Sequence, residues 1–272
     1  MTTTESRSVG SRSVGSRPVG RPTAAPLGRL LYSELALTVP RPRTWVTLAV
    51  VALVPLVVTI GLASLDGERS VVFWALLIST SEFAAFTLAV PVVLVAADAF
   101  AAERAHRTLD AMTLAPVGLG RMLALKTTGI VAVAALTAGT VTVVALVAGL
   151  LALDLGPFTF GSTLGRELVI ALWMTGQLGG LGLLLLPLSA LSRRPAGVTA
   201  AGLVVAMASS MTPFLSDRVT PLLPAGNWGR AVTGLSQVPI DWSQMGWTTL
   251  RAGVYVVIGA GASVWLLSRR DP

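Results

Sequence analysis

The sequence predicts an all-α polytopic membrane protein: six transmembrane helices preceded by an interfacial elbow helix. Three observations carry that prediction. Only 12% of the 272 residues are charged, about half the roughly 25% typical of soluble domains. Mean hydropathy is +0.76, far above what a soluble surface tolerates. The apolar residues also gather in six runs, each long enough to cross about 30 Å of hydrocarbon. These runs fall near residues 45–63, 71–97, 127–153, 168–191, 197–215 and 247–267.

Residues 1–26 form a basic tail rich in Ser, Arg, Gly and Pro. It repeats SRSVG at 6–10 and 11–15, then SRPVG at 16–20. Such a segment buries too little apolar surface to offset its ordering entropy, which predicts disorder. Basic residues here also suit contact with anionic lipid. Residues 27–43 follow. Leu27, Leu30, Leu31 and Leu35 share one helical face, with Arg29, Ser33 and Glu34 elsewhere. The stretch is too short to span and carries flanking arginines, so it reads as an interfacial helix. Pro40 and Pro42 end it. The remainder, 44–272, forms the transmembrane domain.

Six spans put both termini on one side. The tail and elbow, the loop at 98–126, Arg193–Arg194 and Arg269–Arg270 together hold fifteen Lys or Arg residues. The opposite connections hold four: Arg69, Arg166, Arg218 and Arg230. By the positive-inside rule the first set, with both termini, is cytoplasmic at the cell membrane. The first apolar run starts near Trp45, too far along for a cleaved signal, so the first span is expected to act as its own signal.

The loop at 98–126 is the longest polar interruption on that side. It carries Asp98, Glu103, Arg104, His106, Arg107, Asp110, Arg121 and Lys126. A charge at mid-bilayer costs at least about 2.5 kcal/mol, so these groups belong at or outside the membrane surface. Ala, Leu, Met, Glu and Arg favour a helix, and Pro116 with Gly118 divides it. Phe100, Ala101, Ala105, Leu109 and Met112 recur at helical spacing, which predicts a short amphipathic helix.

The opposite connections at 64–70 and 154–167 are short. The one at 216–246 is long, with Trp228 and Trp242, both suited to a membrane interface. Either a surface loop or short helices dipping into the membrane fits it. In the second case Leu222, Leu223, Val232 and Leu235 form the buried side.

Glu82 is the acidic residue deep in an apolar run, and Gln177 sits among the glycines of the fourth run. Both are candidates for a pathway, since intramembrane polar groups are functional by default. Glu82 lies sixteen residues before Asp98, roughly 24 Å along a helix, which places it towards the far leaflet. Gly176 and Gly180 make a GxxxG pair that permits close helix packing. Pro55, Pro91 and Pro187 are expected to kink their helices.

The missing motifs are equally informative. With His106 as the sole histidine and no cysteine, neither an HExxH zinc site nor a thiolate site is possible. No GxSxG elbow is present. The one lysine, Lys126, follows Leu125, so no Gly-Lys-Ser/Thr phosphate loop exists. The chain carries no enzyme motif and needs no cofactor of its own. Its net charge of +7 is spread over loops and offers no basic face for nucleic acid.

The 98–126 loop resembles the corresponding loop of export-type (type 2) ABC transporter permeases. That family shows an acidic residue, Ala-Gly-Glu, further charges, Gly-Thr-Leu, Pro-Val and a lysine. Here Asp98, Ala102, Glu103, Thr108, Leu109, Pro116, Val117 and Lys126 stand in that order, with Arg107 where the family has Gly. Leu31, Glu34 and Leu35 match its elbow helix. The resemblance implies the permease subunit of an ATP-driven exporter of a small or amphipathic substrate. It implies a homodimer, or a heterodimer with a sibling permease, bound to a separate ABC ATPase that carries ATP and Mg. The ATPase would dock on Asp98, Glu103, Arg107, Thr108, Leu109 and Met112. The alternative is a non-ABC membrane protein, either a secondary transporter or a scaffold for a membrane complex.

Overall fold

A computed structural model describes residues 27–64, 72–81, 84–105, 118–211 and 219–269. Every regular element among them is helical. In chain order they are α1 (Leu27–Thr38), α2 (Pro42–Ala63), α3 (Val72–Ser79), α4 (Ala85–Ala105), α5 (Leu119–Ala152), α6 (Phe160–Leu191), α7 (Pro195–Ser210), α8 (Trp228–Thr233) and α9 (Ser243–Ser268). Short 3₁₀ turns at Thr220–Leu222 and Gly234–Ser236 flank α8. Among the described residues, α2, α5, α6 and α9 are long and apolar enough to cross a membrane; Ala85–Ala101 and Pro195–Ser210 are shorter apolar helices. A membrane protein is the reading these elements support.

The helix starts follow local chemistry. Pro42 and Pro195 sit in the first turns of α2 and α7, where a missing N–H costs nothing. The side chain of Thr159 accepts from Ser162 N at 3.3 Å and caps α6. Pro55, Pro91 and Pro187 each lie within a helix.

Two of the expected runs differ from a simple span. The second is divided between α3 and α4. At the end of α3, Ser79 Oγ donates to Ala75 O at 2.6 Å, Thr80 Oγ1 to Leu76 O at 2.8 Å and Ser81 Oγ to Ile78 O at 2.7 Å. Such back-bonding bends a helix and slightly weakens it; the next helix begins at Ala85. The fifth run becomes the 16-residue α7, about 24 Å long at 1.5 Å per residue.

α6 is the hub. α4 and α9 run parallel to it, and α5 runs antiparallel. The close approaches fix those directions. A Cβ on Gly182 would meet Val92 of α4 at 2.7 Å and Ile130 of α5 at 2.5 Å. One on Gly180 would meet the Ala252 carbonyl oxygen of α9 at 3.1 Å, and one on Gly259 would strike the backbone of Leu183. α7 lies antiparallel to α4: a Cβ on Gly202 would meet Val93 at 2.6 Å, and Phe86 N donates to Ser210 Oγ at 3.0 Å. Between these helices lies an apolar core that includes Leu88, Val92, Ile130, Val133, Met174, Leu178 and Leu186.

The GxxxG expectation therefore needs revising. Gly180 and Gly259 mediate the close contact, while Gly176 has open space where a Cβ would go. The long 216–246 connection folds partly as short helices. Trp228, Val232 and Leu235 are buried, whereas Leu222 is 75% exposed and Trp242 is exposed. Two of the four residues expected inside, Val232 and Leu235, are therefore fully buried.

Gly259→Ala is expected to separate α9 from α6 and destabilise the chain by about 1–3 kcal/mol, the usual cost of overpacking. Gly176→Ala is expected to be neutral. Thermal unfolding of both variants in detergent checks this: equal midpoints would remove the α6–α9 contact as a source of stability.

Candidate functional site

The ends of the bundle differ in their polar chemistry. The base gathers the start of α2, the end of α4 and the start of α5, with α1 laid against α5. Leu30, Leu31, Glu34 and Leu35 of α1 are half-buried and Thr38 is buried, while Tyr32 and Leu37 face outward. Glu34, expected off the apolar face, thus lies on the packed side of α1. The reason is a cation: Lys126 Nζ of α5 sits 3.1 Å from Glu34 Oε1. Gly129, one turn on, leaves room for the Thr38 hydroxyl.

A second ion pair stands beside the first. Asp98 of α4 is bonded to Arg43 of α2, with Arg41 Nη1 at 4.0 Å. Arg41 Nε also donates to Leu37 O at 2.8 Å, and Thr44 Oγ1 donates to Thr38 O at 3.2 Å. A cavity of about 40 Å³ lies between the pairs, lined by residues that include Glu34, Arg41, Asp98 and Lys126. The Asp98 and Lys126 side chains are 19% and 12% exposed. Pairs this close to the surface contribute about 1 kcal/mol each at most, so their principal effect is to hold α1 and α2 in register with α4 and α5.

Beneath Asp98, α6 inserts a hydroxyl into the backbone of α4. Ser189 Oγ accepts from Phe100 N at 3.0 Å and Ala101 N at 3.2 Å, and donates to Ala97 O at 3.0 Å. Ser189 is fully buried. A side chain that enters the i→i−4 ladder is a recognised point of helix bending.

Of the predicted docking residues, Asp98 is therefore spent on Arg43, inside the chain. Glu103 belongs to the last turns of α4. Arg107, Thr108, Leu109 and Met112 lie outside the described residues, as does Glu82. Phe100 and Ala101, expected on the apolar face of a short amphipathic helix, are fully buried in the core; they are the backbone partners of Ser189. Gln177 is buried on α6. No group of three or more His, Cys, Asp or Glu able to hold a metal occurs among the described residues.

Sequence reasoning missed one residue. Glu167, assigned to a connection ending where the fourth run begins, lies in the second turn of α6 and is 0% exposed. Among the described residues, neither carboxylate oxygen has a hydrogen-bond partner, and the Thr163 hydroxyl one turn earlier is likewise buried and unpartnered. The adjacent Arg166 turns its guanidinium over the Phe158 ring, 4.5 Å from the centroid. A signal was present: Thr159 is a helix N-cap residue, and Thr163, Glu167, Ile170 and Met174 share one helical face.

Lys126→Glu is expected to set two carboxylates together and detach α1, with faster hydrogen exchange of the amides at Leu27–Thr38. Pairing it with Glu34→Lys is expected to restore protection. Unchanged exchange in the single variant would show that apolar contacts alone hold α1. Compared with known proteins, the chain matches no family model and no curated protein.

Proposed function

We propose that this chain is the membrane permease subunit of an ATP-driven ABC exporter, moving a small or amphipathic substrate with power from a separate ATPase. In this reading α1 is the interfacial elbow helix. α2, the α3–α4 pair, α5, α6, α7 and α9 are the six spans, and the base faces the cytoplasm.

One observation carries the proposal. The two residues that bound the 98–126 loop are each tied by an ion pair to the N-terminal helices: Asp98 to Arg43, and Lys126 to Glu34. A push on the loop therefore reaches α1 and α2 directly. Through Ser189 it also reaches α6, the hub of the bundle. A soluble motor that grips the loop would have a mechanical route into the helices. Asp98 serves that route from inside, as an anchor, and Glu103, Arg107, Thr108, Leu109 and Met112 are left to meet the ATPase. The permease acts as a homodimer or beside a sibling permease.

A gentle pull-down of the tagged chain from its native membrane, with partners identified by mass spectrometry, tests this. A stoichiometric phosphate-loop ATPase is expected. Changing Glu103 and Leu109 to Ala is expected to weaken its capture roughly thirtyfold, as the loss of a hot spot of about 2 kcal/mol would. A reproducible complex without any ATPase would overturn the proposal.

A further inference from the structure

Polar satisfaction is uneven along the bundle. At the base the charged groups Glu34, Asp98 and Lys126 are paired. Towards the other end, buried polar atoms without a partner accumulate among the described residues: Thr59 Oγ1, Thr163 Oγ1, both oxygens of Glu167, Arg166 Nη1 and Trp228 Nε1. Buried polar groups are nearly always hydrogen-bonded, so such a concentration needs a reason. Glu167 is the most demanding of them. An isolated ionised carboxylate in an apolar interior is among the costliest groups a protein can bury, and the nearest arginine in sequence is engaged with Phe158.

The surroundings of Glu167 narrow down what would satisfy it. A divalent metal needs several oxygen or nitrogen ligands, and no metal-binding group of acidic or histidine residues exists among the described residues. One carboxylate and one hydroxyl fit a single positive charge. Ile170 and Met174 continue the same face of α6 along the bundle, three and seven residues on, and both are buried. The face thus offers a carboxyl group beside a hydroxyl, followed by an apolar stripe. That pattern matches a cation attached to an apolar body.

We propose that Glu167 and Thr163 form a binding site for a monocationic amphiphile, its positive charge on the Glu167 carboxylate and its apolar part along Ile170 and Met174. The inference rests on reading the chain as a permease, and it assigns the class of cargo. In the described arrangement α6 is packed against its neighbours and the site is closed. Entry requires α6 to part from them, an opening that the chain samples by itself. Intramembrane carboxylates commonly mark substrate or ion paths, and an isosteric amide at this position keeps the shape while removing the charge.

The test uses the full chain in lipid nanodiscs without any ATPase, with tetraphenylphosphonium as the probe. Saturable binding is expected for the native chain. Glu167→Gln is expected to bind about thirtyfold more weakly, the lower end of the loss when one partner of a buried charge pair is removed. Glu167→Asp is expected to keep part of the affinity, and the anion tetraphenylborate is expected not to compete. Equal binding by native chain and Glu167→Gln would overturn the site, as would absence of saturable binding to the native chain. A Glu167→Gln variant that melts higher but binds as before would make the carboxyl a structural group instead. None of these outcomes depends on ATPase capture, so the permease proposal and this one fail separately.

Discussion

The constraint on which this bundle depends is the close approach of its neighbours to α6. In hydrocarbon there is no hydrophobic drive between helices, so association rests on packing, hydrogen bonds and small residues that let backbones meet. α6 supplies Gly180 and Gly182 at the level where α9, α4 and α5 touch it, and α9 answers with Gly259. Larger side chains at these positions would hold the helices apart, and Leu178, Met174 and Ile130 would lose their partners. The few polar contacts across the seam then fall into place. Trp173 Nε1 donates to Thr248 Oγ1 at 3.1 Å, a buried bond that sets the register of α9 on α6.

The same seam connects the two ends of the molecule. Ser189, near the end of α6, holds the backbone of α4 at residues 97–101. Glu167, near its start, is buried among groups that lack partners. Close-packed interiors have low compressibility and transmit strain. Movement of α4 at the base therefore bears on α6 through Ser189, and the ion pairs of Asp98 and Lys126 tie α1 and α2 to the same end.

Much of the fold was legible because hydropathy is a strong signal. The four long helices follow the apolar runs, while Pro42, read as ending the elbow helix, opens α2 instead. The reading was weakest where a polar residue had two options. Ser79, Thr80 and Ser81 lie where α3 ends, and the second run divides there. Glu34 was placed off the packed face of α1 by periodicity of leucines alone; only the presence of Lys126 on α5, 92 positions away, turns it inward. Phe100 was read as part of the apolar face of a short amphipathic helix; it lies in the core of the bundle instead, at the backbone site where the Ser189 hydroxyl inserts. Long-range pairings of this kind leave no local trace in a single sequence.

Glu167 shows the same limit from the other side. Its position before an apolar run made it look like a loop residue, since charge normally marks the edge of a span. The N-cap at Thr159 moves the start of the helix back, and the carboxylate moves inside with it. A charged residue drawn into a core gains no stability unless something repays its desolvation. At the base, Lys126 and Arg43 supply that compensation for Glu34 and Asp98, and the structure there is self-sufficient. At Glu167 no side chain does so. The base is thus held by its own ion pairs, whereas the buried Glu167 end leaves its polar atoms unsatisfied among the described residues.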